Sequence, residues 1–308
     1  MIKNVLSASL LLLVVSPAIA SFDLMFIPST DGQIYRYDPE NNVRLGNFGL
    51  GTQITDMAID PTTNKLAVIR NNGSMSYDSS TGALLGVGTA DSSARLTWNS
   101  SLNRFDAFAA RFVDGLQVTP HNYSFGPSIT VSAWNYLRVG SGALTMSRVA
   151  APTLNWFAYG VGNVTSSSTT GFTDLTYVSP FLKTVGGLDL FISQTATSAS
   201  ISRIVNAGPT ATFSTMLSFS SEFDFSQPLH MVNSHTGIYI MGKNVSSSDW
   251  RIQNLGIFGS NSLLVNSRVI SGLAYHNARP AIIIAPEPGT MVALGLGLAA
   301  ILRRRKAS

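Results

Sequence analysis

The chain has 308 residues, no cysteine and a formal charge of +4. Without thiols there is no disulfide staple, cysteine nucleophile or thiolate metal site, so the fold has to rest on its core. Lys3 and the four cations at 303–306 are five of the twenty bases, and Glu287 is one of the sixteen acids, which leaves fifteen of each in the body between. A net-neutral body without a polybasic run argues against nucleic-acid binding and against a polybasic membrane-surface role.

The N-terminus reads as a secretory signal peptide over residues 1–20. Lys3 supplies the positive start, Val5 to Val15 the apolar run, and Ala18-Ile19-Ala20 the small-residue site, with Ala18 and Ala20 marking cleavage after Ala20.

The body, residues 21–285, repeats. Met57 to Ile69 aligns with Leu96 to Phe108 without a gap at an offset of 39, and Tyr37 to Gly46 aligns with Tyr77 to Gly86 at an offset of 40. Within a unit, Met57–Asp60 and Leu66–Ile69 are short β-prone runs joined by Asp-Pro-Thr-Thr-Asn-Lys, where Asp60 and Pro61 suit the first two positions of a type I turn. Gly73–Tyr77 and Ala83–Val87 make a second hairpin around Asp78-Ser-Ser-Thr-Gly82. Four short strands in roughly 40 residues is the signature of a β-propeller blade. Looser copies follow at His230–Met241 and Ile270–Ile284. Between about 140 and 225 only separate strands can be read: Asn155–Val161, Leu188–Ile192, Ser200–Val205 and Thr210–Phe219.

The ends of the body complement each other. Phe22–Ile27 and Gln33–Tyr37 match the last strands of a unit, while Val269–Tyr275 and Ala281–Ile284 match its first strands. The fold class expected is therefore all-β: a propeller of about six blades, seven at the outside, closed by one blade that both ends share, which removes open sheet edges. The pattern resembles the broad WD40/YVTN/NHL-like group of propellers, without a Trp-Asp signature or other subfamily motif. The alternative is a β-sandwich with long loops.

The body is poor in chemistry. Its histidines are His121, His230, His235 and His276, with no His-x-x-x-His helix, cysteine pair or acidic calcium loop, so neither a metal nor a cofactor is expected. Asp60, Asn99, Asn233 and His276 or Asn277 share a strand-end position and read as turn initiators. No Gly-x-Ser-x-Gly elbow or phosphate loop occurs, and no catalytic residue is assigned. Trp98, Trp134, Trp156 and Trp250 fit packing between blades, and one exposed on a loop could stack on a sugar ring.

The C-terminus, residues 286–308, is tripartite. Pro286-Glu287-Pro288 leads into an uncharged apolar run from Gly289 to Leu302, and Arg303, Arg304, Arg305 and Lys306 follow it. The run should be a short helix of about 21 Å, below the ~30 Å hydrocarbon core, with the cations held on the cytoplasmic side. This arrangement resembles the PEP-CTERM sorting signal of Gram-negative bacteria. The resemblance implies recognition by the membrane-embedded processing enzyme exosortase and transient inner-membrane insertion through the helix. Removal of the tail and delivery to the cell surface or exopolysaccharide matrix would follow. Two functions stay open for the body: a non-catalytic surface or matrix protein binding exopolysaccharide or surface proteins through a propeller face, or an exported propeller-fold hydrolase or lyase using the histidines and blade acids.

Overall fold

The computed structural model describes residues 21–49, 53–71, 73–88, 96–99, 104–107, 110–113, 116–120, 136–140, 143–150, 153–160, 163–169, 176–179, 182–183, 189–206, 212–219, 222–235, 237–258 and 261–286. Among the described residues there is no helix, and twenty-five strands form six separate antiparallel sheets rather than the two packed sheets of a sandwich.

The chain opens with β1 (Ser21–Pro28), β2 (Ile34–Asp38) and β3 (Val43–Phe48). The second sheet is β4 (Ile54–Asp60), β5 (Lys65–Arg70), β6 (Gly73–Asp78) and β7 (Leu84–Gly88). The third is β8 (Leu96–Asn99), β9 (Arg104–Ala107), β10 (Ala110–Val113) and β11 (Leu116–Pro120). The fourth is β12 (Tyr136–Gly140), β13 (Ala143–Ala150), β14 (Thr153–Gly160) and β15 (Asn163–Thr169). In the fifth, the short β16 (Tyr177–Val178) and β17 (Leu182–Lys183) share one edge of β18 (Asp189–Gln194), followed by β19 (Ala199–Asn206) and β20 (Thr212–Phe219). The sixth is β21 (His230–Asn233), β22 (Gly237–Lys243), β23 (Asp249–Phe258) and β24 (Asn261–Ala274). Finally β25 (Ala281–Pro286) returns to pair with β1, completing the first sheet in the order β25-β1-β2-β3.

Successive sheets touch mainly along their first strands, with β13 and β18 also taking part. β25 lies against β4, β4 against β8, β8 against β12, β13 against β16, β17 and β18 against β21, and β21 against β25. The cores lie between these sheets, and the period-two geometry of a strand divides its side chains among them. On β1, Met25 and Ile27 join the core shared with the sixth sheet, and Phe26 joins the core shared with the second. On β5, Leu66 and Val68 face the first sheet while Ala67 and Ile69 pack with Leu96 and Phe105 of the third. A strand covered on both faces has no solvent side to make polar, which is why Leu24-Met25-Phe26-Ile27 and Leu66-Ala67-Val68-Ile69 are unbroken apolar runs.

The repeat observed in the sequence is the hairpin geometry. Asp60 and Asn99 end β4 and β8, and Tyr37-Asp38 and Tyr77-Asp78 end β2 and β6. Each aspartate closes its own turn. Asp38 Oδ1 accepts from the Glu40 and Asn41 amides at 2.9 and 3.0 Å, and Asp78 Oδ1 accepts from Ser80 and Thr81 at 2.8 and 3.1 Å. The matching turns then end at Asn42, with φ of 58°, and Gly82, with φ of 76°. A left-handed backbone is what both residue types tolerate, so the two turns share a shape despite different sequences.

Two expectations need correcting. Val269–Tyr275 was expected beside Ala281–Ile284 as the opening hairpin of the shared unit. Instead residues 269–274 belong to β24 and pair with β23 (Val269 opposite Arg251), so the first sheet joins one C-terminal strand to three N-terminal ones. The intervening Asn277-Ala278-Arg279-Pro280 has turn composition but is a crossover between sheets: Ala278 is fully buried and Arg279 reaches the second and third sheets. His276 consequently lies before β25, at the opposite end of its strand from the position that Asp60, Asn99 and Asn233 occupy, yet it still closes a local turn, its Nδ1 accepting from the Ala278 amide two residues on as Asp60 accepts from Thr62. In the stretch where copies blurred, β14, β18, β19 and β20 lie where strands were expected, while β12, β13, β15, β16 and β17 were not foreseen. β15, Asn-Val-Thr-Ser-Ser-Ser-Thr, has no apolar alternation to announce it.

Candidate functional site

The antiparallel meanders give the body two ends, and residues distant in sequence mark each. At one end Arg279, just before β25, meets Asp56 near the start of β4 and Leu96 at the start of β8. Its Nη2 lies 3.1 Å from Asp56 Oδ2 and donates to the Leu96 carbonyl, while the Leu96 amide donates to Asp56 Oδ2 at 2.7 Å. Asp56 is 2% exposed, so this shared carboxylate ties three sheets together out of reach of solvent. At the other end the chain termini of the body meet: Ser21 is opposite Pro286 and Phe22 opposite Ala285 across the β1–β25 pair. Of the sorting residues expected from sequence, Pro286 is the last residue of β25. Glu287, Pro288, the cluster Arg303, Arg304, Arg305 and Lys306, the apolar run and the cleavage residues Ala18 and Ala20 lie outside the described residues.

Between the ends runs a cavity of about 400 Å³, walled by first strands: Met57, Ala58 and Ile59 of β4, Trp98 of β8, Leu182 of β17, Met231 and Val232 of β21, and Ile282 and Ile283 of β25. Its polar contributions are Asn233 and Arg279. Trp98 packs edge-on to Phe105, with centroids 4.9 Å apart, and its buried Nε1–H finds no acceptor among the described residues. Such a donor in an apolar wall is a specific place for a ligand's acceptor atom.

The histidines do not form one centre. His230, at the start of β21, is buried beside the rings of Trp250 and Tyr177. His276 is buried, accepts from the Ala278 amide at 3.1 Å through Nδ1, and is held by burial below the ordinary histidine pKa. His235 sits at the far end of β21 and reaches the first sheet; His121 is outside the described residues. The His235 amide donates to Asp23 Oδ1 at 3.0 Å, and its Nδ1 is 3.0 Å from Asp23 Oδ2 and 3.2 Å from Glu40 Oε1. Tyr239 donates to Asp23 Oδ2 at 3.0 Å. Burial and the Asp23 carboxylate push the Tyr239 hydroxyl well above its ordinary pKa, so it remains a donor.

Asp23, Glu40 and His235 are the one trio among the described residues whose donor atoms could hold a metal ion. The oxygens of the fully buried Asp23 are already met by protein donors, which accounts for its burial as a clamp between the sixth and first sheets. Sequence reasoning passed over Asp23, Glu40, Asp56 and Arg279. The available signal was a lone acid interrupting an apolar strand, at Phe22-Asp23-Leu24 and Thr55-Asp56-Met57.

Asp60 behaves as its turn position suggests. Burial pushes its carboxyl up, but bonds from Thr63 and Thr62 outweigh this and hold it below the ordinary value. Asp224, near the Arg279 end, is held lower still, at about 2, by Lys243 at 2.8 Å and by the Ser226 side chain and amide. The folded carboxyl thus takes up a proton less readily than the unfolded one, so its contribution to stability is complete above about pH 4 and lost as pH falls through about 2. The melting temperature of Asp224→Asn should fall less steeply with acid below pH 4 than that of the unmodified body; parallel acid limbs would refute this assignment.

Comparison with known proteins separates the tail from the body. Residues 285–306 match the model of the PEP-CTERM protein-sorting motif. No curated protein matches the chain. Among solved structures, a protein of unknown function from Bacteroides caccae is similar with a TM-score of 0.58 at 10% identity, over 86% of this chain and 99% of that one. A functionally unknown protein from Desulfotomaculum acetoxidans DSM 771 is similar with a TM-score of 0.57 at 12% identity, over 87% and 100%. A chain of a nidogen/laminin complex is similar with a TM-score of 0.52 at 10% identity, over 85% and 98%. At these identities the likeness concerns the fold alone.

Proposed function

We propose that this chain, which carries the PEP-CTERM protein-sorting motif at residues 285–306, is an exported, non-catalytic surface or matrix protein that an exosortase-type enzyme sorts. Its six sheets are the blades of a closed propeller, with β25 supplying the fourth strand of the first blade. The observation that carries the reading is the motif itself, which implies an exosortase-sorted exported protein. That the last strand of the body ends at Pro286, where the motif begins, supports it. In this reading the signal peptide directs export, the tail enters the inner membrane of a Gram-negative cell, and processing passes the body towards the surface or exopolysaccharide. No described helix is long and apolar enough to cross a membrane.

The body binds glycan or protein partners through one end of the propeller. The buried Trp98 Nε1–H in the cavity wall supports a ligand with an apolar face and an acceptor atom, as a sugar ring has. The separate partners of His230, His235 and His276 support binding over hydrolase or lyase chemistry, because general acid–base work needs its groups on one substrate.

The test is Glu287→Ala in a host with an exosortase. The expected result is an uncleaved chain that sediments with the inner membrane, while the unmodified chain is shortened and leaves it. An unchanged mature mass and fractionation would mean that the motif is not read.

A further inference from the structure

We propose that the Ser21–Pro286 end of the propeller lies against the lipid headgroup surface until the tail is cut, with the Arg279 end directed away. This rests on the tail being a membrane-inserted sorting signal. The geometry is set by how little chain lies between body and tail. Pro286 is still paired with Ser21 in the sheet, and only Glu287 and Pro288 separate it from the uncharged run that begins at Gly289. Two residues reach at most about 7 Å, which is too short for the body to turn over or stand off. The leader joins the body at Ser21, the direct partner of Pro286, so both apolar segments leave from one point. The two ends of the body are well separated in contacts. Glu40 and His235 meet Asp23 beside the Ser21–Pro286 pair, while Arg279, Asp56 and Leu96 meet at the opposite end.

The same face is not built to adhere. Its turns mix the acids Asp38, Glu40, Asp60 and Asp78, of which Asp38 and Asp60 are buried, with Lys65, Arg104 and Lys183, and no cluster of lysines or arginines occurs there among the described residues. Anionic headgroups attract polybasic surfaces, and the mixed charge of these turns offers none. The tail alone therefore holds the body down, and cutting it frees the body, exposing a face that was covered during sorting.

The absence of native cysteine makes this directly measurable. Single cysteines are placed at exposed turn positions of the Ser21–Pro286 end, Asn41→Cys and Thr81→Cys, and of the Arg279 end, Thr30→Cys and Ala196→Cys. They are placed in the full-length chain carrying Glu287→Ala and reacted with a bulky, membrane-impermeant maleimide on spheroplasts. In the membrane-held chain, Asn41→Cys and Thr81→Cys should label several-fold more slowly than the other two. In the body alone, residues 21–286, all four should label alike, and that body should not sediment with anionic phospholipid vesicles. Equal labelling at both ends of a chain that floats with the membrane would overturn the orientation, and sedimentation of the body with vesicles would overturn release by cutting alone. A chain that does not float with the membrane would instead remove the sorting reading, and this inference with it.

Discussion

Deleting residues 21–48 should abolish folding of the body rather than trim it. The deletion removes β1, β2 and β3, leaving β25 with no partner in its own sheet. It also takes Met25 and Ile27 from the core shared with the sixth sheet and Phe26, Ile34 and Phe48 from the core shared with the second. Asp23, the acceptor for His235 and Tyr239, goes with them. A domain of ordinary stability has only about 5–15 kcal/mol to lose, and three strands that bridge two cores exceed that. The orphaned β25, Ala-Ile-Ile-Ile-Ala-Pro, would present an apolar edge, an aggregation hazard. Deleting residues 289–308 should leave melting unchanged, since β25 stops at Pro286. Thermal melting and solubility of both truncations, made without the signal peptide, check this. An N-terminal truncation that stays soluble and melts like the intact body would sink the closed ring.

Trp250→Ala should be the most damaging single substitution in the closure, at about 3–5 kcal/mol. The side chain is fully buried between the sixth and first sheets, with its ring 4.6 Å from that of Tyr275. Its Nε1–H donates to the Pro28 carbonyl at 3.0 Å, fastening the end of β1 to β23. Trp250→Phe keeps most of the apolar volume and loses the bond, so it should cost about 1–3 kcal/mol, the penalty of an unmet buried carbonyl. Chemical denaturation of the two variants separates these contributions. Equal losses would mean that the bond, not the packing, carries the effect.

The division between what could and could not be read runs through particular residues. The hairpins of the second sheet and the strand β1 were legible because their determinants are local. Asp60-Pro61 and Asp78-to-Gly82 close turns through bonds spanning two or three residues. Runs such as Leu66–Ile69 are apolar because both of their faces are covered. The cavity was not legible, because its walls come from strands of five sheets and no local pattern records which strands will be first in their sheets. Nor were Asp23, Asp56 and Arg279, whose partners lie 212, 40 and 223 residues away.

The sequence by itself determined the tail address and the all-β repeat, since an ordered proline–acid–apolar–basic segment and a period near 40 residues need no folded chain to be read. Only the tertiary structure decided that one strand, not two, crosses to complete the first sheet. The composition of residues 277–280 suits a hairpin as well as a crossover. The choice was made by contacts that burial alone creates: Ala278 in the core and Arg279 on the Asp56 carboxylate of a neighbouring sheet.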